Sequence, residues 1–380
     1  MNPNSKILIS GAGVAGLTSA IWLGRQGFKP TIVERAPDVR ADGYIISLSH
    51  RSYRFADQLE LLPEIRERYA GVTSSSYHRG RNTLLKFDYR SLFEGVDVVQ
   101  IMRDDLQDIL YDHARNLANF RFGTSIESIS PGRRRSMVRF SDGREDEYDV
   151  IIGADGSHSG VRRLSFASDQ VQLRYLGLCA AAYRLPNIAA LKQKFETHME
   201  RDRYMVIFTT PKDDLAAVFV WATDIGEAPS PATRHGFLQE AYAGTRGIVR
   251  DVLDYCPADG GFYIDPLIQV RMNDWYKHHS VLTGDAAHSL TLISGQGATM
   301  AFTGACVLAD ALSTYERAEA FTAYQSNLQR TVFDVQDRTR SIARWYVPCS
   351  WWRQSVRDLG MALFPTQIFE SHFKSKYTRA

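Results

Sequence analysis

Lys6-Ile7-Leu8-Ile9-Ser10 runs without a break into Gly11-Ala12-Gly13-Val14-Ala15-Gly16. The first five residues read as a buried β-strand. Leu17 to Gln26 is helical in pattern, and Gly27 is a natural stop for that helix. A second strand, Pro30 to Val33, ends at Glu34. The order strand, G-x-G-x-x-G, helix, strand, acid is that of a dinucleotide-binding unit, with the acid about 20 residues beyond the glycines. Gly11 permits the tight turn, Gly13 lets the backbone approach a pyrophosphate, and Gly16 lets helix and strand pack closely. The helix N-terminus offers free N–H groups and partial positive charge to phosphates. Glu34 can accept hydrogen bonds from ribose hydroxyls. Glycines at this spacing alone also fit an ordinary turn; strand, helix and acid in register separate the two readings.

The 380 residues suffice for two or three domains with real cores, and a composition 44% hydrophobic and 11% aromatic is that of a globular enzyme. A formal net charge of +2 is too small to imply nucleic acid or an anionic membrane as partner. Cys179, Cys256, Cys306 and Cys349 form no C-x-x-C pair and read as reduced thiols. No basic and apolar leader precedes the first strand, and no run of 18 apolar residues exists, so a cytoplasmic location without a membrane span is expected.

Further along, Tyr44 to Leu48 reads as a strand, 51–70 as helical, and 83–101 as short strand-like runs. Arg103 opens a helix with Leu106, Ile109 and Leu110 on one face and acids in its first turn. Phe120 to Ile129, Met137 to Phe140 and Tyr148 to Ile152 read as strands. The middle third reads as sheet: Ala180 to Leu185, then Tyr204 to Thr210 and Leu215 to Ala222 joined by Pro211-Lys212-Asp213-Asp214, followed by a helical stretch over 232–253. Ser280 to Thr283 is a strand, and Gly295-Gln296-Gly297 opens a helix from Ala298 to Leu312. Helix continues to about Trp345, Pro348 breaks it, and 351–363 forms a last amphipathic helix with Trp352, Val356, Leu359 and Leu363 on one face. The expected organisation is a first part of the nucleotide domain (1–170), an inserted, mostly β substrate domain (171–270), a second nucleotide part (271–345) and a C-terminal helical segment (346–380).

Three ordered stretches, GAGVAG at 11–16, DVIIGADGSHSGVRR at 149–163 and TGDAAHSLTLISGQG at 283–297, resemble the group A flavoprotein monooxygenases, the family that includes p-hydroxybenzoate hydroxylase and the tetracycline-inactivating monooxygenases. The resemblance spans roughly residues 5 to 345. It implies an α/β fold: a Rossmann-type FAD-binding domain, an inserted sheet-based substrate domain and C-terminal helices. It implies FAD as cofactor, held by Gly11, Gly13, Ala15, Gly16, Glu34, Arg35, Arg103, Asp155, Asp285, Gly295, Gly297 and Ala298. Within that set Asp285 would accept from a ribityl hydroxyl, and Arg103 would reach the FAD. By position Arg40 resembles the family's mobile arginine near the nicotinamide cofactor, and Ser47 lies where some relatives place an acidic flavin contact. Arg162 and Arg163 read either as phosphate ligands or as a solvated basic pair, and Asp155 also fits a plain turn residue. The family carries His288 without an acid–base role. Trp351 and Trp352 read as packing. One departure is visible: the family shows proline between GDAAH and GQG, whereas Ser289-Leu290-Thr291-Leu292-Ile293-Ser294 contains none.

The resemblance further implies hydroxylation of an aromatic or polycyclic small molecule, with NAD(P)H as reductant and O₂ as oxidant, through a C4a-hydroperoxyflavin. The cofactor carries the hard step, so no catalytic residue is nominated and no metal is expected. The substrate pocket is expected between the 289–296 loop and the middle strands, with Tyr204, Phe208, Phe219, Trp221 and Leu292 on its walls and the last helix closing one side. A monomer or homodimer is expected. A flavin reductase or dehydrogenase that never activates O₂, and a non-catalytic flavin-binding protein that sequesters a ligand, stand as alternatives; a halogenase lacks its W-x-W-x-I-P stretch.

Overall fold

The computed structural model describes residues 1–38, 44–69, 71–88, 91 and 94–363. Its organising element is a six-stranded sheet in the order β17 (Tyr276–Lys277), β18 (Ser280–Leu282), β11 (Val150–Gly153), β1 (Ile7–Ser10), β2 (Thr31–Glu34), β7 (Asn119–Phe122). All pairings are parallel except β17 with β18. Ile9 pairs with Ile152 on one side and Ile32 on the other, and each is fully buried. Such unbroken apolar runs belong to a parallel sheet covered on both faces. The covering comes from α1 (Val14–Arg25), α4 (Arg103–Ala114), α9 (Gly297–Thr314) and the long α10 (Arg317–Tyr346), whose Phe302, Leu308, Phe321 and Tyr324 join the same core.

The second large sheet has seven strands: β16 (Tyr263–Met272), β12 (Val171–Leu185), β15 (Leu215–Ala222), β14 (Arg203–Thr209), β13 (Lys194–Met199), β4 (Ser74–Arg79) and β5 (Asn82–Asp88). Two of these, β4 and β5, enter it from within the span 1–170. One face carries Tyr183, Met205, Ile207, Phe219 and Trp221 under α6 (Pro231–Ala241) and α7 (Ile248–Leu253). The other carries Ala180, Tyr204, Phe208 and Val218 toward the nucleotide half, where they meet Met102, Leu267 and Ala343. Smaller pieces complete the fold: the pair β3 (Ile45–Ser49) and β6 (Val98–Met102), the meander β8 (Ile126–Pro131), β9 (Ser136–Phe140), β10 (Glu145–Tyr148), and the short helices α2 (Arg51–Gln58), α3 (Leu62–Glu67), α5 (Gly160–Ser165) and α8 (Asp285–His288).

Several expected elements divide, each for a local reason. Phe120 to Ile129 breaks at Gly123, whose φ of +66° turns the chain out of the parallel sheet into the meander. Tyr148 to Ile152 breaks at Asp149, which accepts from the Lys6 N–H and the Arg135 guanidinium. The helical stretch 51–70 splits near Glu60 (φ +56°), and 232–253 splits across Gly244 and Gly247. Strands β4, β13 and β16 were not expected at all.

The last helix, α11 (Trp351–Leu363), corrects a stronger expectation. Its apolar face points outward: Trp351 is 72% and Leu359 58% exposed, while Gln354, Arg357 and Asp358 are buried. Ion pairing decides the orientation. The Asp358 carboxylate accepts from Arg79 at 2.8 Å and from Arg357 at 2.9 Å, and Arg357 also donates to the Tyr346 carbonyl. Trp351 and Trp352 are therefore surface residues rather than packing.

The turn between β1 and α1 is the tightest packing in the nucleotide half. A Cβ on Gly16 would lie 1.9 Å from the Gly11 carbonyl oxygen, and one on Gly11 would lie 2.5 Å from the Ala154 oxygen. Backbone atoms cannot yield as a flexible side chain would. Gly16→Ala is expected to lower stability by about 3 kcal/mol, read as an earlier urea midpoint of the apoprotein; an unchanged midpoint would show that helix and strand do not need this approach.

Candidate active site

A cleft of about 840 Å³ opens where the two halves meet, and the G-x-G-x-x-G turn forms its floor. Gly11 holds φ +104° and donates its N–H to the Val33 carbonyl, which locks the turn against β2. Gly13 is the N-cap of α1, and a Cβ there would meet nothing within 4 Å. Packing does not demand glycine at this point, so the open space on the cleft side is what the missing side chain provides. Gly297 repeats the arrangement at the start of α9. Neither α1 nor α9 has an acid in its first turn or a side-chain cap. Two positive helix ends therefore converge on one cleft, the Gln296 N–H at the start of α9 being held by the Ser294 hydroxyl at 3.0 Å, an arrangement that favours a ligand rich in phosphate and anionic ring oxygens.

Glu34 lines the cleft and fastens the turn. One carboxylate oxygen accepts from the Ala12 N–H at 2.9 Å, the other from the Ala36 N–H at 2.8 Å. Lone pairs remain on both oxygens for ribose hydroxyls. Gln107, which the sequence reading missed, donates to the Ala12 carbonyl at 2.8 Å and also lines the cleft. It stands one helical turn after Arg103, and that i, i+4 spacing was the available signal.

Arg103 lies with its guanidinium 5.5 Å from the centre of the Tyr44 ring, and Tyr44 in turn sits 5.6 Å from Tyr263 of β16. Asp285 follows Gly284 and opens into the cleft, so solvent reaches it even though protein surrounds it. That burial pushes its carboxyl above the usual range, Arg103 pulls it back, and Asp265 adds to the rise. Arg35, Ser47, Asp155, Gly295 (φ +62°), Ala15 and Ala298 also line the cleft. Arg40 lies outside the described residues. Gly16 is the one glycine of the motif that serves packing rather than the cleft wall.

Asp155 is largely consumed by its own loop. It accepts from the N–H groups of Gly160 and Val161 and from the Ser159 hydroxyl, which starts α5. Arg162 is neither a phosphate ligand nor a solvated base: it is buried, and donates to the carbonyls of Ala286 and Ser157, tying this loop to α8. Arg163 is exposed at the rim.

Of the five expected substrate residues, only Leu292 lines the cleft. Tyr204 and Phe208 lie on the sheet face turned toward it but are buried, Phe208 stacking on Phe195 at 4.7 Å and Tyr204 lying 6.1 Å from Tyr346. Phe219 and Trp221 correct the expectation: strand alternation turns them to the opposite face, where both pack on Tyr242. The apolar wall belongs instead to Tyr44, Tyr263, Leu267 and Leu292, and among the described residues none of α11 lines the cleft. Tyr263 and Leu267 sit on β16, an element the sequence reading left unassigned.

Within the stretch that lacks the proline, Thr291 adopts φ +66°, ψ 161°, which closes that one position to a ring that locks φ near about −65°. Among the described residues, no group of three or more His, Cys, Asp or Glu could hold a metal ion, and no helix is long and apolar enough to cross a membrane.

His288 is 1% exposed, stands 4.8 Å from the Trp275 ring and leaves Nε2 without a partner. Burial pushes its pKa down from 6.5 to about 4, so it is neutral at pH 7. The unfolded chain takes up this proton first as pH falls below 6.5. The stabilisation is thus complete above that value and lost as pH drops toward 4, on the order of 3 kcal/mol. Urea titrations of wild type and His288→Gln from pH 7 to 4.5 should show a flatter acid decline in the variant. A second expectation concerns the open glycines. Gly13→Ala and Gly297→Ala should each keep the wild-type urea midpoint yet weaken FAD by about tenfold, followed by quenching of flavin fluorescence. A methyl tolerated by the cofactor would show that these openings are not its cradle.

Comparison with known proteins accords with this geometry. A family model described as an FAD binding domain matches residues 4–338. A flavin-dependent monooxygenase from an unknown prokaryotic organism is 31% identical over 336 residues, covering 87% of each chain. A flavin-dependent monooxygenase of Legionella longbeachae is 30% identical, again covering 87% of each. The crystal structure of tetracycline destructase Tet(55) superposes with a TM-score of 0.85 at 27% identity, covering 100% of this chain and 98% of that one. With two helix starts, an acid-fastened glycine turn, Arg103 and Asp285 lining one cleft, this chain belongs to the FAD-dependent monooxygenase family.

Proposed function

We propose that the chain is an NAD(P)H- and O₂-dependent hydroxylase of a planar aromatic or polycyclic small molecule, with FAD in the cleft described above. The observation that carries this reading is the continuity of the cleft. It runs from Glu34 at the ribose end, past Arg103 and Asp285, to Gly295–Ala298, and there meets the apolar wall of Tyr44, Tyr263, Leu267 and Leu292. Bound FAD supplies the redox chemistry with reductant and O₂. The chain supplies the rest. The α1 end and Arg103 would neutralise phosphate charge, Glu34 and Asp285 would accept from hydroxyls, and the α9 end would favour negative charge developing on the bound ring system. The apolar wall orients the substrate and keeps water from the reacting edge. Aromatic and aliphatic side chains interleaved with a few polar ones such as Asp265 and Thr291 suit a flat ligand that carries some polar groups. A tetracycline is one candidate of that class, because the structural neighbour Tet(55) bears that name. The division into nucleotide and substrate parts follows the two large sheets, with residues 74–88 contributing to the second.

The test is direct. Protein purified as a yellow FAD complex should oxidise NADPH or NADH faster when an aromatic panel is added, and mass spectrometry should find a product heavier by one oxygen atom. Leu292→Ala should alter that stimulation, or its coupling to product, at unchanged FAD content. Reductant oxidation that yields only peroxide or reduced acceptor across the panel would make the chain a reductase. Wild-type stimulation and coupling in Leu292→Ala would place the substrate elsewhere.

A further inference from the structure

The first turn of α4 is held from outside the nucleotide half, by an arginine of the substrate sheet. Arg184 stands on β12 and donates from Nη2 to Asp104 Oδ2 at 2.6 Å, while its Nη1 lies 3.9 Å from Asp214 Oδ2. Asp104 directly follows Arg103, whose side chain faces the cleft. Acids are expected at a helix start, where they complement the dipole. What is unusual is how the first of them is held. The Asp104 and Arg184 side chains are only 13% and 23% exposed, and both Asp104 Oδ1 and Arg184 Nε lack any protein partner. The pair is thus aligned along one short contact at the junction of the two halves. Around it, Asp105 is pushed up by burial and by Asp104, and pulled down by Arg184 and Lys212 of the substrate side and by Arg68, which caps the end of α3. Arg184 has the electrostatic reach of a clamp on this turn.

The same sheet touches Arg103 by a second route. Ala182, two residues before Arg184 and so on the same face, pairs with Tyr263 of β16. Tyr263 meets Tyr44, on whose ring the Arg103 guanidinium rests, and the Arg103 N–H donates to the Tyr44 carbonyl at 2.9 Å. One face of the substrate sheet therefore braces Arg103 from in front through aromatic rings and from behind through Asp104.

We propose that Arg184 is a positioning residue of the FAD site, acting through Asp104 to hold the Arg103 guanidinium at the cleft and so linking the placement of the substrate sheet to cofactor affinity. The proposal rests on the reading of the cleft as an FAD site. Its test is a double-mutant cycle on the FAD dissociation constant, measured by flavin fluorescence on apoprotein titrated with FAD, with the circular dichroism of each variant recorded alongside. Arg103→Met and Arg184→Met should each weaken FAD by about tenfold, and the double variant should be no weaker than Arg103→Met alone. Arg184→Lys keeps the charge but not the forked reach, and should fall between wild type and Arg184→Met; it also serves if Arg184→Met fails to fold. Full additivity of the two losses, or wild-type affinity in folded Arg184→Met, would overturn the proposal and leave the FAD reading standing. Wild-type affinity in Arg103→Met would overturn the assignment of Arg103 and the proposal with it.

Discussion

The close approach of α1 to β1 is the constraint on which the rest of the cleft depends. With 1.9 Å between a would-be Gly16 Cβ and the Gly11 oxygen, helix and strand sit backbone on backbone. That contact sets the direction of the α1 axis, and hence where its unfilled N–H groups point. Glu34 then closes the turn from β2 through Ala12 and Ala36, and Gln107 closes it from α4 through the Ala12 carbonyl. Three elements distant in sequence thus agree on the position of one peptide, and that agreement fixes the α1 start at the cleft without a cationic side chain in the turn itself.

Charge in the cleft follows a consistent logic. The two helix ends are positive and fixed. Two acids, Glu34 and Asp285, line the same cleft. Asp285 is held in a surrounding that disfavours its charge, with Arg103 as counterweight. An acceptor so placed gains from a hydrogen-bonding ligand, which replaces the solvent that the protein has displaced. Arg103 is the common partner: it answers Asp285, rests on Tyr44, and shares its helix start with Asp104, which Arg184 grips from the other sheet. The electrostatics of the cofactor end and the placement of the substrate sheet are for this reason one problem.

The sequence was legible where chemistry is local. The glycine turn and Glu34 could be read from the local order of strand, turn, helix, strand and acid, whereas Arg103, Asp285 and the Gly295–Ala298 stretch were assigned through the family resemblance; all line or shape the cleft. It was illegible where position depends on a partner strand. Phe219 and Trp221 alternate as a strand should, but alternation names two faces without saying which one meets the nucleotide half; Tyr242 and the helices above it decide that. Strand β16, which supplies Tyr263 and Leu267, alternates apolar with polar only over Ile268–Met272, and Pro266 interrupts the half that carries Tyr263 and Leu267, so the signal there was broken. In α11 the hydrophobic stripe was read correctly and its direction wrongly: Asp358 pairs with Arg79 and Arg357 on the inward side, while Val356 and Leu359 face outward.

Thr291 shows how a departure from a family pattern can be structural before it is chemical. A β-branched residue at φ +66° carries strain of about 1–3 kcal/mol, so neighbouring bonds must hold the loop in place. They are present: the Ser294 hydroxyl donates to the Thr291 carbonyl at 2.8 Å, and Gln336 of α10 donates to the Ser289 carbonyl at 3.1 Å. A proline would set this stretch through its own ring. Here the same stretch is set by a serine inside the loop and a glutamine from a helix beneath it. The shape of the wall that Leu292 presents to the cleft is therefore tied to the packing of α10, and a change in that helix can reach the substrate side without touching it.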